Sequence, residues 1–191
     1  QPNVVNVFEN DHLEVYLPQT TLYDSVAFFH SEKNSVSPDS YSPVYSVLSG
    51  LVPAQNYFTI SIKAPNLVEN NLQNRILIKR SWNGKTEVAK AMRHLDWYSA
   101  KFNSFGNFEL IADNEPPVIA VNFHDNADLS RASKIIITPK DNNDQVKNFR
   151  AELDGKWLRF SNDKGKNFIY EFDDRCAKGK HKLTISIEDE A

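Results

Sequence analysis

Apolar and polar residues alternate with a period of two along most of this chain, in short runs that end at Pro, Gly, Asn or Asp. This alternation places successive side chains on opposite faces of a β-strand, and the 3.6-residue period of an amphipathic helix is hard to find. The pattern therefore predicts an all-β protein. The predicted strands of the first half are residues 12–17, 25–32, 43–48, 57–64, 75–82, 86–91, 94–102 and 107–112. Those of the second half are residues 118–123, 134–139, 146–153, 156–161, 167–172 and 181–188.

Three turn sequences fix how neighbouring strands connect. Asn83-Gly84 and Asp154-Gly155 each stand between two strand-like runs, and both pairs tolerate the positive φ that a type I′ hairpin turn needs. The Gly-containing stretch at residues 162–166 predicts a third turn. Only residues 67–74 have a pattern compatible with a helical turn.

Two of the strands predict which side chains face a core. Phe58, Ile60 and Ile62 alternate with polar residues, so we expect them on one buried face. The same alternation runs through residues 182–188, where the apolar positions are Leu183, Ile185 and Ile187. Each strand should thus pack on one side only.

The acidic and doubly prolyl segment Asp113-Asn114-Glu115-Pro116-Pro117 divides the chain. Neither proline can donate a hydrogen bond to a sheet, and each restricts the preceding residue to extended geometry. We therefore expect a stiff linker between two modules, residues 1–112 and 113–191. Six or seven short strands in the second module match the strand number of an immunoglobulin-like sandwich. We predict two consecutive antiparallel β-sandwich domains of the immunoglobulin or fibronectin III type.

Composition narrows the possible partners. The net charge is -3, and the Lys and Arg residues are scattered, so we expect no nucleic-acid partner. No apolar run approaches about 20 residues, which predicts no membrane span. Cys176 is the single cysteine and has no intramolecular disulfide partner. The sequence starts at Gln1-Pro2 without an initiator Met or a leader, which is typical of a mature or excised fragment.

The candidate catalytic residues have no recognised spacing. The five histidines are isolated, without the H-x-H or H-E-x-x-H spacing that zinc enzymes use. They are His12, His30, His94, His124 and His181. Cys176 lacks a local nucleophile signature, and no G-x-S-x-G elbow is present. We predict that the chain is not an enzyme and needs no cofactor.

Two ligand-binding alternatives remain open. Asp141, Asn142 and Asp144 cluster oxygen ligands of the kind calcium prefers, although Asp and Asn also favour ordinary turns. Trp82 and Trp97, with Tyr98, could form an aromatic platform for a sugar. For these tryptophans and Trp157 we expect the sandwich core instead, since aromatic residues dominate such cores.

Several segments resemble a known family. They are the Phe105-Gly106-Asn107-Phe108 strand entry, the acidic-Pro-Pro junction and the Asp-Gly-Lys-Trp hairpin, with the upstream segment VYLPQTTLYDSVAFF. Together they resemble the C-terminal, non-catalytic region of envelope-associated M23-family (LytM-like) metallopeptidases, which cut peptidoglycan crosslinks. The chain departs from that pattern at Gln145, where the family usually has glycine, and at Ala191, where a Gly-Asn pair usually follows.

The resemblance implies a function without an active site. The family's zinc-ligand motif is absent from these residues, so no catalytic residue carries over. What it implies is a pair of spacer or docking modules of a secreted or envelope-associated peptidase. The implied partner is a catalytic domain or an envelope protein, with cell-wall glycan as a further candidate. The implied location is the periplasm, the outer membrane or the extracellular space. The alternative is a glycan-binding or calcium-dependent adhesion module.

Overall fold

The structure is a computed structural model that describes residues 1–65, 67, 75–142, 146–164, 166–173 and 176–189. Its described elements are all β-strands in antiparallel sheets, which confirms the all-β prediction. Residues Gln1–Asn114 form one compact unit and Glu115–Asp189 form another. The boundary predicted from the sequence, between residues 112 and 113, lies two residues earlier. We call the two compact units the N-terminal unit and the C-terminal unit.

The N-terminal unit is built from two five-stranded sheets. Its strands are β1 (Asn6–Glu9), β2 (Leu13–Leu17), β3 (His30–Lys33), β4 (Val44–Val47), β5 (Pro53–Lys63), β6 (Ile76–Trp82), β7 (Lys85–Lys90), β8 (Met92–His94), β9 (Trp97–Ser104) and β10 (Gly106–Ala112). Sheet 1 has the order β1-β2-β5-β9-β8, and sheet 2 has the order β3-β4-β10-β6-β7.

The core of the N-terminal unit draws buried side chains from both sheets. Phe58, Ile60 and Ile62 of β5 are fully buried, as their alternation predicted. Phe58 stacks on Phe105 with ring centroids 4.4 Å apart, and Phe108 meets its edge at 6.4 Å. Apolar burial from two facing sheets is the main stabilising term of such a β-sandwich.

The C-terminal unit has seven strands among its described residues. They are β11 (Val118–Val121), β12 (Lys134–Lys140), β13 (Val146–Leu153), β14 (Lys156–Trp157), β15 (Ser161–Asp163), β16 (Asn167–Glu171) and β17 (Leu183–Asp189). Sheet 3 has the order β11-β12-β16-β15, and sheet 4 has the order β14-β13-β17. Its core is separate and centres on Ile135, Ile137, Leu158 and Tyr170.

Both predicted two-residue hairpins are present. Asn83 and Gly84 have φ of 47° and 74°, and they connect the paired residues Trp82 and Lys85. Asp154 and Gly155, with φ of 52° and 77°, connect β13 to β14 in the same way. Both residues of each pair occupy the left-handed region, as a type I′ turn requires.

Some predicted strands are wrong in extent. Residues 25–29 of the predicted run 25–32 are irregular, and the strand begins only at His30 and ends at Lys33. The run 94–102 is broken by a turn at Leu95, which has a φ of 55°. No Gly or Asn at this position indicates the turn in the sequence. The run 156–161 is split because Leu158 turns into the core while the chain passes from sheet 4 to sheet 3. Strand β1 was not predicted.

The sequence also led to expectations about helices: one possible helical turn and no membrane span. The possible helical turn at residues 67–74 falls largely outside the described residues. Within the described ranges, no helix is long and apolar enough to cross a membrane.

Candidate functional site

A cleft opens in the N-terminal unit where the edge strands of its two sheets meet. β1 borders sheet 1 and β3 borders sheet 2, and the irregular segment 25–29 runs beside them. The cleft encloses about 300 Å³ and is lined mainly by apolar side chains, among them Phe8, Val26 and Phe28. We call it the aromatic cleft. Its volume is at the small end of the range for ligand-binding sites.

Two phenylalanine rings line the aromatic cleft, and the His30 ring packs beside them. Phe8 stacks on Phe28 with ring centroids 4.8 Å apart, and the His30 ring lies 4.3 Å from Phe8. Phe28 keeps 40% of its surface exposed. Behind the rings, Val15 and Leu22 are buried and fix the floor. The site therefore has a buried apolar floor and a partly exposed aromatic rim.

Further apolar side chains are exposed in the same region of the sequence. Tyr23 and Phe29 are 61% and 62% exposed. Val7 is 56% exposed and lies opposite Tyr16, itself exposed, across the β1–β2 pair. The chemistry that these side chains offer is apolar and aromatic contact.

The sequence did not predict this cleft, although it contained a signal. Phe28 and Phe29 are adjacent, and adjacent residues of a strand face opposite sides. Both rings could not have entered one core, so at least one exposed phenylalanine was to be expected. The contact between residues 8, 28 and 30 depends on which strands become sheet edges, which local pattern does not specify.

The structure separates the residues of the predicted aromatic platform. Trp82 is on β6 of sheet 2, whereas Trp97 and Tyr98 are on β9 of sheet 1. Tyr98 is 1% exposed, and its hydroxyl donates to the Leu67 carbonyl oxygen at 3.2 Å. Burial raises the pKa of this phenol, while nearby Arg93 lowers it. Tyr98 is thus a core residue in this fold.

None of the three tryptophans is buried, so their expected core position is wrong. Trp157 is 65% exposed, while Trp82 and Trp97 are half-buried. The Lys63 ammonium lies 5.6 Å from the centre of the Trp97 ring, within cation–π range. Trp82 lies against Gly50, where an added Cβ would collide with the indole ring. Each indole of the N-terminal unit therefore packs on a neighbouring residue of that unit.

A family comparison gives the N-terminal unit a name. The family model of the Zu5-like domain matches residues 1–113. The chain belongs to the Zu5-like domain family. No curated protein and no solved structure matches the chain. The match ends one residue before the boundary of the compact unit at Asn114.

Within the Zu5-like domain the histidines serve local contacts. The His30 ring packs against Phe8 beside the aromatic cleft, and His12 Nδ1 lies 3.8 Å from Glu32 Oε2 in an exposed pair. His94 ends β8 and pairs with Trp97 across a tight turn.

The predicted calcium ligands lie beyond the Zu5-like domain, at the end of β12. Asp141 is half-buried and Asn142 is exposed. Asp144 lies outside the described residues. Calcium binding at this loop stays a prediction.

The C-terminal unit holds its β13–β14 hairpin with an ion pair. His181 Nδ1 lies 2.7 Å from Asp154 Oδ2, and His181 Nε2 lies 2.7 Å from the Ala177 carbonyl oxygen. The Lys182 backbone N–H donates to Asp154 Oδ1 at 2.8 Å. The Asp154 hydrogen bond is the main cause of a raised pKa at His181, followed by the Ala177 carbonyl. The pKa of Asp154 is lowered, chiefly by His181 and then by the Lys182 N–H.

These shifts predict a pH window for the hairpin clamp. A raised imidazole pKa stabilises the folded state below about pH 6.5, and this contribution disappears as pH rises through the folded pKa. A lowered carboxyl pKa stabilises it above about pH 3.8, and this contribution disappears as pH falls through the folded pKa. We expect an NMR titration to place the His181 pKa above its ordinary value. In Asp154→Asn the His181 pKa should move down toward that value, because the main cause of its rise is removed. An identical His181 titration in both proteins would contradict the clamp.

Proposed function

We propose that this chain is a non-catalytic docking and spacer region of a secreted or envelope-associated M23-type cell-wall peptidase. The observation that carries the proposal is the aromatic cleft, because a buried apolar floor with partly exposed rings suits contact with a folded partner. The partner is the peptidase's catalytic domain. The sequence resemblance supplies the envelope setting.

The organisation of the chain supports the spacer role. Each unit has its own hydrophobic core, and the connector between Asn114 and β11 contains two consecutive prolines. Consecutive prolines favour extended geometry and limit backbone freedom. The Asp113 backbone N–H donates to the Arg75 carbonyl oxygen at 2.9 Å, which fixes the start of the connector to the Zu5-like domain. Two stable modules joined by a short stiff connector suit the positioning of an enzyme.

The first test is a digestion of peptidoglycan. We expect the purified chain, with added zinc, to leave purified sacculi uncut while a positive-control peptidase releases soluble muropeptides. Release of muropeptides by the chain alone would refute the non-catalytic assignment.

The second test is binding to the catalytic domain, expressed separately from the same protein. We expect Phe28→Ser to raise the dissociation constant of the complex by about tenfold or more, because exposed aromatic residues are frequent hot spots. The loss is measured as reduced co-elution of the two proteins. Leu51→Ser is the matched control, since Leu51 is 83% exposed in a turn and lines no part of the aromatic cleft. Equal binding by the wild type and Phe28→Ser would show that the aromatic cleft is not the docking site.

A further inference from the structure

Strand β17 forms an edge of sheet 4. It hydrogen-bonds to β13 on one side, and within the described part of the chain no strand pairs with its other side. The Asp154 N–H donates to the Lys182 carbonyl oxygen at 2.9 Å. Because hydrogen bonding alternates along an antiparallel pair, the backbone groups of Leu183, Ile185 and Ile187 point away from β13. They form a row of donors and acceptors at the edge.

The side chains of β17 leave this edge open to another strand. Leu183, Ile185 and Ile187 are half-buried on the core side, while Thr184, Ser186 and Glu188 are exposed on the outer side. The central residues 183–187 carry no charge. Charged side chains on an edge commonly prevent pairing with another strand. The edge strands β3 and β7 of the Zu5-like domain are charged in this way, with the sequences HSEK and KTEVAK.

The sequence of β17 is complementary to itself. In an antiparallel pairing centred on Ile185, Leu183 of one copy faces Ile187 of the other, and Ile185 faces Ile185. On the outer face, Thr184 then faces Ser186. Just outside them, Lys182 faces Glu188, and the two-fold symmetry makes this charge pair twice. The centre also falls on a residue whose backbone points outward, as a hydrogen-bonded two-fold pair requires.

We propose that β17 is a homotypic docking edge, which pairs antiparallel with β17 of a second copy of this chain about Ile185. The two three-stranded sheets then join into one continuous sheet of six strands. Apolar contacts align on the core side, hydroxyl contacts on the outer side, and the Lys182–Glu188 pairs fix the register. Glu188 Oε2 accepts a hydrogen bond from Asn148 Nδ2 at 2.5 Å, which holds the carboxylate on the outer face of sheet 4. This surface is separate from the aromatic cleft and adds self-association to the proposed docking role.

Sedimentation velocity of the full chain tests the proposal. A short edge-to-edge interface buries little surface. We therefore expect a monomer–dimer equilibrium with a dissociation constant between about 10 µM and about 1 mM. Lys182→Glu and Glu188→Lys each place like charges opposite one another twice, and each should weaken the dimer by about tenfold. Lys178→Glu makes the same charge change at an exposed position outside any strand and should leave the dimer unchanged.

The two variants also test the register by rescue. The double variant Lys182→Glu/Glu188→Lys should dimerise as the wild type does, because it exchanges the charges of each pair. A mixture of the two single variants should form a mixed dimer, since the two acidic groups of one strand, at positions 182 and 188, then face the two basic groups of the other strand, at positions 188 and 182. Circular dichroism should show that every variant is folded. A wild type that stays monomeric across this range overturns the proposal, and so does a dimer insensitive to both charge reversals.

Discussion

Replacing Phe58 by alanine will lower the free energy of unfolding of the N-terminal unit by about 3–5 kcal/mol, the largest effect expected for a single change in this chain. Phe58 is 1% exposed, stacks on Phe105 and meets the edge of Phe108. Its removal loses apolar burial and two aromatic contacts, and it leaves a cavity that the surrounding strands close only in part.

Urea unfolding followed by tryptophan fluorescence measures this loss. The exposed Trp157 belongs to the C-terminal unit, so a Trp157→Phe background confines the signal to Trp82 and Trp97. Phe29→Ala is the matched control, because Phe29 is 62% exposed and its truncation should change the free energy by less than about 0.5 kcal/mol. A loss below about 1 kcal/mol in Phe58→Ala would show that this ring is not in a packed core.

Replacing Gly106 by alanine should lower the stability of the same unit by about 2–4 kcal/mol. Gly106 begins β10 with φ of 145°, a conformation that residues with a side chain rarely adopt. An added Cβ would also lie 2.9 Å from the Ser81 carbonyl oxygen and 3.2 Å from Trp82 Cβ. Both neighbours belong to β6, which pairs with β10, so the two strands would have to separate.

Two other glycines separate the two causes of this destabilisation, which are the unfavourable φ and the collision of the added Cβ. Gly84 has φ of 74° with open space around it, so Gly84→Ala should show the conformational cost alone, about 1 kcal/mol. Gly50 has no such φ, but its Cβ would collide with the Trp82 ring, so Gly50→Ala should show steric displacement and a changed fluorescence spectrum. The order of destabilisation should place Gly106→Ala above Gly84→Ala. The reverse order would contradict the close approach of β10 to β6.

The sequence predicted the elements whose signals are local. Alternation at Phe58, Ile60 and Ile62 identified a face of β5, and the Asn83-Gly84 pair identified a hairpin. Each of these depends on residues adjacent in the chain. The turn at Leu95 escaped prediction because a leucine at positive φ has no sequence signature. The irregular residues 25–29 escaped it because strand propensity does not reveal whether a hydrogen-bonding partner is available.

The candidate site was harder to predict than the fold. Histidines and tryptophans are the residue types from which a metal site or a sugar platform would be predicted. In the structure they make local contacts, and Trp82 and Trp97 lie on different sheets. The aromatic cleft joins residues from β1, β2 and the segment between β2 and β3, which meet only once the strands have paired. Such a site depends on the order of strands in the sheets, and no short stretch of sequence encodes that order.

The separation of the two hydrophobic cores has an evolutionary consequence. Among the described residues, one hydrophobic core cluster lies within the Zu5-like domain and another lies after Glu115. A gene rearrangement that cuts at the Asn114–Glu115 bond would keep each of these two clusters whole. This boundary is suited to exon-like shuffling, in which a lineage gains or loses the C-terminal unit while the Zu5-like domain keeps its sequence.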